Sequence, residues 1–356
     1  MPAVGGNSIE SAAKNVLARS PAQFPLVSCN SRAIAEPQDL LRRFTLTPHA
    51  TNLQLMRRTV RLETNSQTVL EVAQNFFAAH QRGRAAKPQF LWRIVCESDP
   101  LVQSTAVPFS AFSDLGLRYV NIGQRGFLAV DLERREAVAF LSDRFVENAP
   151  RFRHRPPLDI LFCMTAASLG LAALSGGCVG VRDRGVLIFG PPNSGKTTAC
   201  YLAARLGMEF HADQVVFLDT NRKTLRTWGD PFPAVFRPET MEFLPELRPT
   251  ARRSTYADLS FYYFDKSPLQ ARRARPVSPV CCLFLDRRAT TKTELEKITR
   301  EEAVSRLGDC MLFNEDARFD GQINAALRAL AERPVYNLRY GSDPKIAAVV
   351  IEEMLR

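Results

Sequence analysis

The chain has 356 residues, 46% apolar and 24% charged, with a net charge of +10. This is an ordinary globular composition with enough apolar side chain for a substantial core, and it excludes a disordered or collagen-like chain. Arginine supplies 39 of the 47 basic residues, scattered in pairs such as Arg42-Arg43 and Arg287-Arg288 with no Lys/Arg block, so the charge reads as solvated surface and no nucleic-acid partner is expected. The eight cysteines form no C-x-x-C pair and no Cys/His cluster at metal spacing, which argues against zinc and against a disulfide framework. No basic segment followed by an apolar run is found near residue 1, and the most apolar window, 158–174, contains Asp159, Thr165 and Ser168. It is too short to span a bilayer. The expectation is a cytoplasmic protein without a membrane partner.

In chain order, residues 1–40 are rich in Ala, Ser, Pro and Asn with weak periodicity and read as a leader. Residues 41–150 read as an α+β module: a strand over 53–63, a helix over 66–79, then strands over 90–96, 117–122, 126–131 and 137–141, taken as adjacent and antiparallel. Pro156-Pro157 precedes an apolar helix over 158–174. A buried strand over 185–189 and a helix over 198–206 flank a glycine-rich loop, and Gly207 stops that helix. A strand is expected over 209–218 and another up to Trp228, followed by an irregular, proline-punctuated surface region over 231–249. Residues 280–285 form a further buried strand, and Thr299-Arg300-Glu301-Glu302 is a capping box. A strand over 335–340 and a helix over 344–355 follow.

Between the strand and the helix stand Gly190, Pro191, Pro192, Asn193, Ser194, Gly195, Lys196 and Thr197, which match G-x-x-x-x-G-K-[ST]; Thr198 follows. In such a loop successive backbone N–H groups curl around phosphate oxygens, the lysine sets a point charge near the β- and γ-phosphates, and the final hydroxyl is available to Mg²⁺. The strand–loop–helix order is the context that this motif requires, with the helix N-terminus directed at the phosphates. The expected ligand is a nucleotide, ATP, with Mg²⁺.

The segment GVLIFGPPNSGKTTACYLAARLGMEFHADQVVFL resembles the catalytic domain of HPr kinase/phosphorylase and its related kinases. The likeness rests on the loop, one helix ended by Gly207, the pair Ala212-Asp213, and the capped helix and Pro-Val-Tyr strand further on. It covers residues 155–356, so 151–356 is taken as an HPr-kinase-like ATP-binding catalytic domain. The resemblance implies a mixed-sheet α/β fold of the phosphoenolpyruvate-carboxykinase-like type. It also implies transfer of the γ-phosphoryl group to a hydroxyl, serine foremost, of a protein, peptide or small molecule, and homo-oligomers. Two positions differ from the family: Gln214 stands where a second acid is usual, and Ser175 where a histidine is usual.

By the same resemblance Asp213 accepts the acceptor's proton and joins Thr197 in holding Mg²⁺, while Lys196 serves catalysis as well as binding. His211, two residues earlier, reads as a polar surface residue or a neighbour of that site. Asp286 competes, because it ends an apolar strand as the Mg²⁺-binding acid of ordinary P-loop NTPases does. If it prevails, the chain is an NTPase that couples hydrolysis to conformational change. A nucleotide-binding regulator that has lost catalysis is the third reading, motivated by Ser175 and Gln214. Arg237, Arg252, Arg253, Arg272 and Arg273 are candidates for neutralising the γ-phosphate.

Overall fold

Residues 53–63 fold as a hairpin, not as one strand: β1 (His49–Leu55) and β2 (Arg58–Thr64) pair antiparallel about Met56-Arg57. Both turn residues have positive φ (51° and 66°), the two-residue geometry whose twist matches that of paired strands. Periodicity misses it because the apolar pattern runs on through the turn. The computed structural model describes residues 45–356, except 81–85, 99–109, 115, 123–124, 149–151, 153–156, 221–223, 231, 233, 250, 257–258, 265–274, 289–291 and 314–316. The leader assigned to 1–40 lies outside the described residues.

Helix α1 (Gln67–Phe76) follows, capped by Ser66, whose hydroxyl accepts the Val69 N–H. Then come β3 (Phe90–Glu97), β4 (Ser110–Asp114), β5 (Leu117–Asn121), β6 (Gly126–Asp131), β7 (Glu136–Ser142) and α2 (Asp143–Glu147). The seven strands form one sheet in the order β1-β2-β3-β7-β6-β5-β4. It is mixed and not wholly antiparallel, since β3 pairs parallel with both β2 and β7. Parallel neighbours need crossovers, and α1 and the β4–β6 meander supply them.

The apolar stretch 158–174 divides. Helix α3 (Leu158–Thr165) passes into a short 3₁₀ turn, Ala166–Leu169, which ends at Gly170 with φ 69°. The chain then extends as β8 (Leu171–Ser175). A left-handed glycine ends a helix at little steric cost, so the second half of the expected helix is a strand. Among the described residues no helix is long and apolar enough to cross a membrane.

Next come β9 (Gly177–Val181), β10 (Arg184–Phe189), α4 (Lys196–Arg205), β11 (Glu209–Ala212), β12 (Val215–Asp219), β13 (Thr227–Gly229), β14 (Ala234–Phe236) and α5 (Pro238–Phe243). The chain continues through β15 (Arg252–Tyr256), β16 (Leu259–Phe264), β17 (Ser278–Arg287), β18 (Glu294–Lys297), α6 (Arg300–Asp309), α7 (Ala317–Ala331), β19 (Val335–Tyr340) and α8 (Lys345–Leu355). A second mixed sheet runs β11-β9-β10-β17-β19-β18, with β10, β17 and β19 parallel at its centre. Alternation divides its two faces. Val186, Ile188, Leu283 and Leu285 pack with α4 and α8, whereas Leu187, Phe189, Cys282 and Phe284 pack with α6 and α7. The protein is therefore mixed α/β, as expected.

The stretch expected as a single strand over 209–218 leaves one sheet and enters another. β11 pairs with β9 in the second sheet, and β12 pairs with β8 and β13 in a third. The neighbouring chain makes the same passage between β8 and β9, and the Gly176 N–H donates to Gln214 O across the crossing at 2.9 Å. Phe217, Trp228 and Phe232 share one core with Trp92, Phe77 and Phe162, so this sheet packs against the first. Arg58 of β2 ties the two with a 2.9 Å ion pair to Asp219, both side chains buried. The region 231–249 is not an irregular surface: Phe236, Met241, Leu244 and Leu247 are buried in the core around α4. Pro238 opens α5 and Pro245 the turn at Pro245–Leu247, where the ring suits a first helical position.

Candidate functional site

The glycine-rich loop joins the end of β10 to α4. Gly190 has φ 140°, and a β-carbon there would lie 2.6 Å from Leu285 O and 2.7 Å from Ser194 Oγ. Gly195 has φ 91°, and its β-carbon would lie 2.5 Å from the Tyr340 hydroxyl. Both glycines are thus required by conformation and by space. Asn193 also holds a positive φ, 69°, a conformation that costs a non-glycine residue energy and that asparagine tolerates best. Pro191 and Asn193 are exposed, Pro192, Thr197 and Thr198 are half-buried, and Ser194 and Lys196 are buried.

Helix α4 starts at Lys196, not Thr198, with its first bond from the Ala199 N–H to Gly195 O at 2.8 Å. The Lys196 side chain folds back over the loop, and its Nζ donates to Gly190 O at 2.8 Å and Pro191 O at 3.0 Å. Beneath the loop the Tyr340 hydroxyl donates to Ser194 O at 2.6 Å. Burial pushes the Tyr340 phenol up to about 12, so it stays a donor throughout the physiological range. The buried Ser194 hydroxyl has no hydrogen-bond partner among the described residues.

Asp213 is 1% exposed and sits at the passage from β11 to β12. Gly177 places it beside α4: a β-carbon on that glycine would lie 2.5 Å from Cys200 Sγ and 3.6 Å from Asp213 Cα. Cys200 is one helical turn beyond Lys196 and Thr197. The absence of a side chain at Gly177 thus brings the Asp213 backbone against the helix that carries both loop residues.

Asp286 is arranged otherwise. It lies two residues after Phe284, on the side of β17 away from α4. Its carboxylate receives Arg288 Nε at 2.9 Å and 3.0 Å, and Arg339 lies 3.9 Å away on the paired strand. His211 is not a surface residue. It is 1% exposed, in a bulge of β11, with Nε2 3.5 Å from Glu209 Oε2. The bulge breaks the alternation on which a shared face with Asp213 depends. Ser175 and Gln214 flank the crossing between sheets, since Ser175 is in register with Val215. Arg237 precedes α5, Arg252 and Arg253 are exposed on β15, and Arg272 and Arg273 lie outside the described residues.

Sequence reasoning passed over two residues of this site, Tyr340 and Asp230. Asp230 is fully buried, and its carboxylate accepts the backbone N–H groups of Asp213, Gln214, Val215 and Phe232. Gly229-Asp230-Pro231 reads as turn chemistry, which conceals a carboxylate of this kind.

No family model matches the chain, and no curated protein matches it. Among solved structures it is similar to the Hpr(Ser) kinase/phosphatase from Coxiella burnetii, at 11% identity and a TM-score of 0.26, over 51% of this chain and 94% of that one. This is a weak likeness at the level of the fold.

Proposed function

We propose that the chain is an ATP-dependent phosphotransferase that moves the γ-phosphoryl group to a hydroxyl, serine foremost, of a protein, peptide or small molecule. One arrangement carries this reading: Lys196 spans a cradle shaped by Gly190 and Gly195 at the start of α4, and buried Asp213 is packed beside the same helix. A β-carbon at Gly190 would strike Leu285 O and Ser194 Oγ, and one at Gly195 the Tyr340 hydroxyl, so the loop keeps its curl only with glycine at both; the Ser194 hydroxyl is buried in it without a partner among the described residues. A run of N–H groups at a helix start with a lysine across it suits phosphate.

Phosphoryl transfer asks the protein mainly to position groups and neutralise charge. Lys196 gives up its two carbonyl partners for the β- and γ-phosphate oxygens, and the backbone N–H groups of residues 193–196 hold the rest. The acceptor oxygen attacks the γ-phosphorus. The bond from that phosphorus to the bridging oxygen breaks, and the electron pair leaves on ADP. The acceptor's proton passes to an Asp213 carboxylate oxygen and then to solvent. Thr197 and Asp213 are the side chains that would hold Mg²⁺, which when bound neutralises phosphate charge. Among the described residues no cluster of three or more His, Cys, Asp and Glu forms a ready metal site. A nucleotide-borne Mg²⁺ needs only one or two protein ligands.

The test is incubation with γ-labelled ATP and a panel of hydroxyl-bearing peptides and proteins. Acid-stable label on an acceptor is the expected result. Label appearing only as free phosphate makes the chain an NTPase, and tight binding without turnover makes it a nucleotide-binding regulator.

A further inference from the structure

Asp230 lies one residue beyond β13, and its side chain reaches the point where β11 ends and β12 begins. Its Oδ2 accepts from Asp213 N at 3.2 Å, Gln214 N at 3.4 Å and Val215 N at 3.3 Å, and its Oδ1 accepts from Phe232 N at 3.1 Å. In an extended strand consecutive N–H groups point to opposite sides, so three in a row cannot meet one acceptor. They do so here because the backbone bends into a concavity of N–H groups of the kind that holds anions. The anion in this case belongs to the protein. Gly229 allows the approach, since a β-carbon there would stand 2.0 Å from His211 O.

We propose that Asp230 is a positioning residue for Asp213: its carboxylate fixes the bend that carries Asp213 and so sets where the Asp213 carboxylate stands beside α4. The inference rests on the reading of Asp213 as the group that receives the acceptor's proton and faces Mg²⁺. Asp230 itself touches neither nucleotide nor acceptor. A fully buried carboxylate is tolerated only when its oxygens are well satisfied, and here four backbone N–H groups share the charge. Replacing one oxygen by an amide NH₂ removes the charge and sets a donor against at least one of these N–H groups, which weakens the hold on the bend without changing side-chain volume.

The experiment uses the full chain and a fluorescent ATP analogue titrated with Mg²⁺, alongside transfer assays. Asp230→Asn should raise the Mg²⁺ concentration for half-maximal analogue binding, and lower transfer, by about 10- to 100-fold, the usual cost of removing a partner that orients a ligand. Analogue affinity without Mg²⁺ should stay within about twofold, because the loop is untouched. Asp230→Glu, which keeps the charge and displaces the oxygens, should act in the same direction. The double variant Asp213→Asn/Asp230→Asn should be no worse than Asp213→Asn alone. Multiplying losses would overturn the inference, as would a lowered melting temperature with Mg²⁺ dependence unchanged. If neither single variant folds, Asp230 is a folding determinant and the inference falls. Should the wild-type chain label no acceptor, the phosphotransferase reading fails by itself, and the Mg²⁺ titration still measures the coupling of Asp230 to Asp213.

Discussion

Two carboxylates stand at strand ends near the glycine-rich loop, and their surroundings are opposite. Asp213 is buried at a bend that a second buried carboxylate holds, with its backbone against α4. Asp286 is partly exposed on the far face of β17 and engaged by Arg288 and Arg339. In the sequence Asp286 looks the better placed, since it ends an apolar run, whereas Asp213 follows the mixed stretch Glu209-Phe210-His211-Ala212. The difference lies in what the fold packs around them: a glycine and a helix in one case, two guanidinium groups in the other. A carboxylate already claimed by exposed arginines on the wrong side of the sheet is poorly placed to serve a ligand at the loop.

The comparison breaks most sharply at the loop. Lys196→Ala should cut γ-phosphate turnover by about a thousandfold, with nucleotide binding weakened as well and far-UV circular dichroism unchanged, because the ammonium opposes charge that develops in the transition state. Normal turnover in that variant would mean that neither carboxylate stands beside an active site. Asp213→Asn should lower transfer by about 100- to 10,000-fold, the range for removing a proton acceptor, with ATP affinity in the absence of Mg²⁺ kept within about twofold. Parallel isothermal titration and label transfer separate the two quantities.

Much of this was legible in the sequence, and the gaps have physical reasons. The loop, β10 and α4 were readable because glycine placement and helix periodicity are local. β6 and β19 lie at the expected bounds, and Thr299 accepts the Glu302 N–H as a capping box requires. The bend at 213–215 was not readable, because it depends on Asp230, distant along the chain, taking three N–H groups that would otherwise serve a ladder. His211 reads as a surface residue for a related reason, since a bulge shifts the alternation of a regular strand. The expected helix over 66–79 already allowed the parallel pairing of β3 with β2, but the pairing of β3 with β7 is not readable, because its crossover is a meander of strands and not a helix.

Two smaller effects sharpen how the bend at Asp213 and the loop are held. Gly229→Ala drives a β-carbon into the His211 carbonyl, a clash of backbone with backbone that no rotamer relieves. It should cost about 3 kcal/mol in urea unfolding, the upper end for overpacking. An unaffected midpoint would show that the bend around Asp230 is not tightly constrained. Tyr340→Phe removes the hydroxyl beneath Ser194 and should cost about 1 kcal/mol. Burial raises this phenol from 10.0 to about 12, so its contribution is complete below pH 10 and lost as pH rises through about 12. The stability difference between wild type and Tyr340→Phe should accordingly shrink over that interval, which paired melts would follow.

Asp286→Asn should have the smallest effect, and it decides between the two carboxylates. It removes charge from a partly exposed cluster with Arg288 and Arg339. Exposed ion pairs contribute about 0–1 kcal/mol, because solvent screens them and both side chains lose rotamer freedom. Melting should therefore shift little, and label transfer and Mg²⁺ dependence should match wild type within about twofold. The opposite pattern, with transfer and Mg²⁺ response lost in Asp286→Asn and kept in Asp213→Asn, would require the arginines to release Asp286 and the end of β17 to turn towards the loop. The site would then be that of a conventional P-loop NTPase, and the burial of Asp213 would be structural.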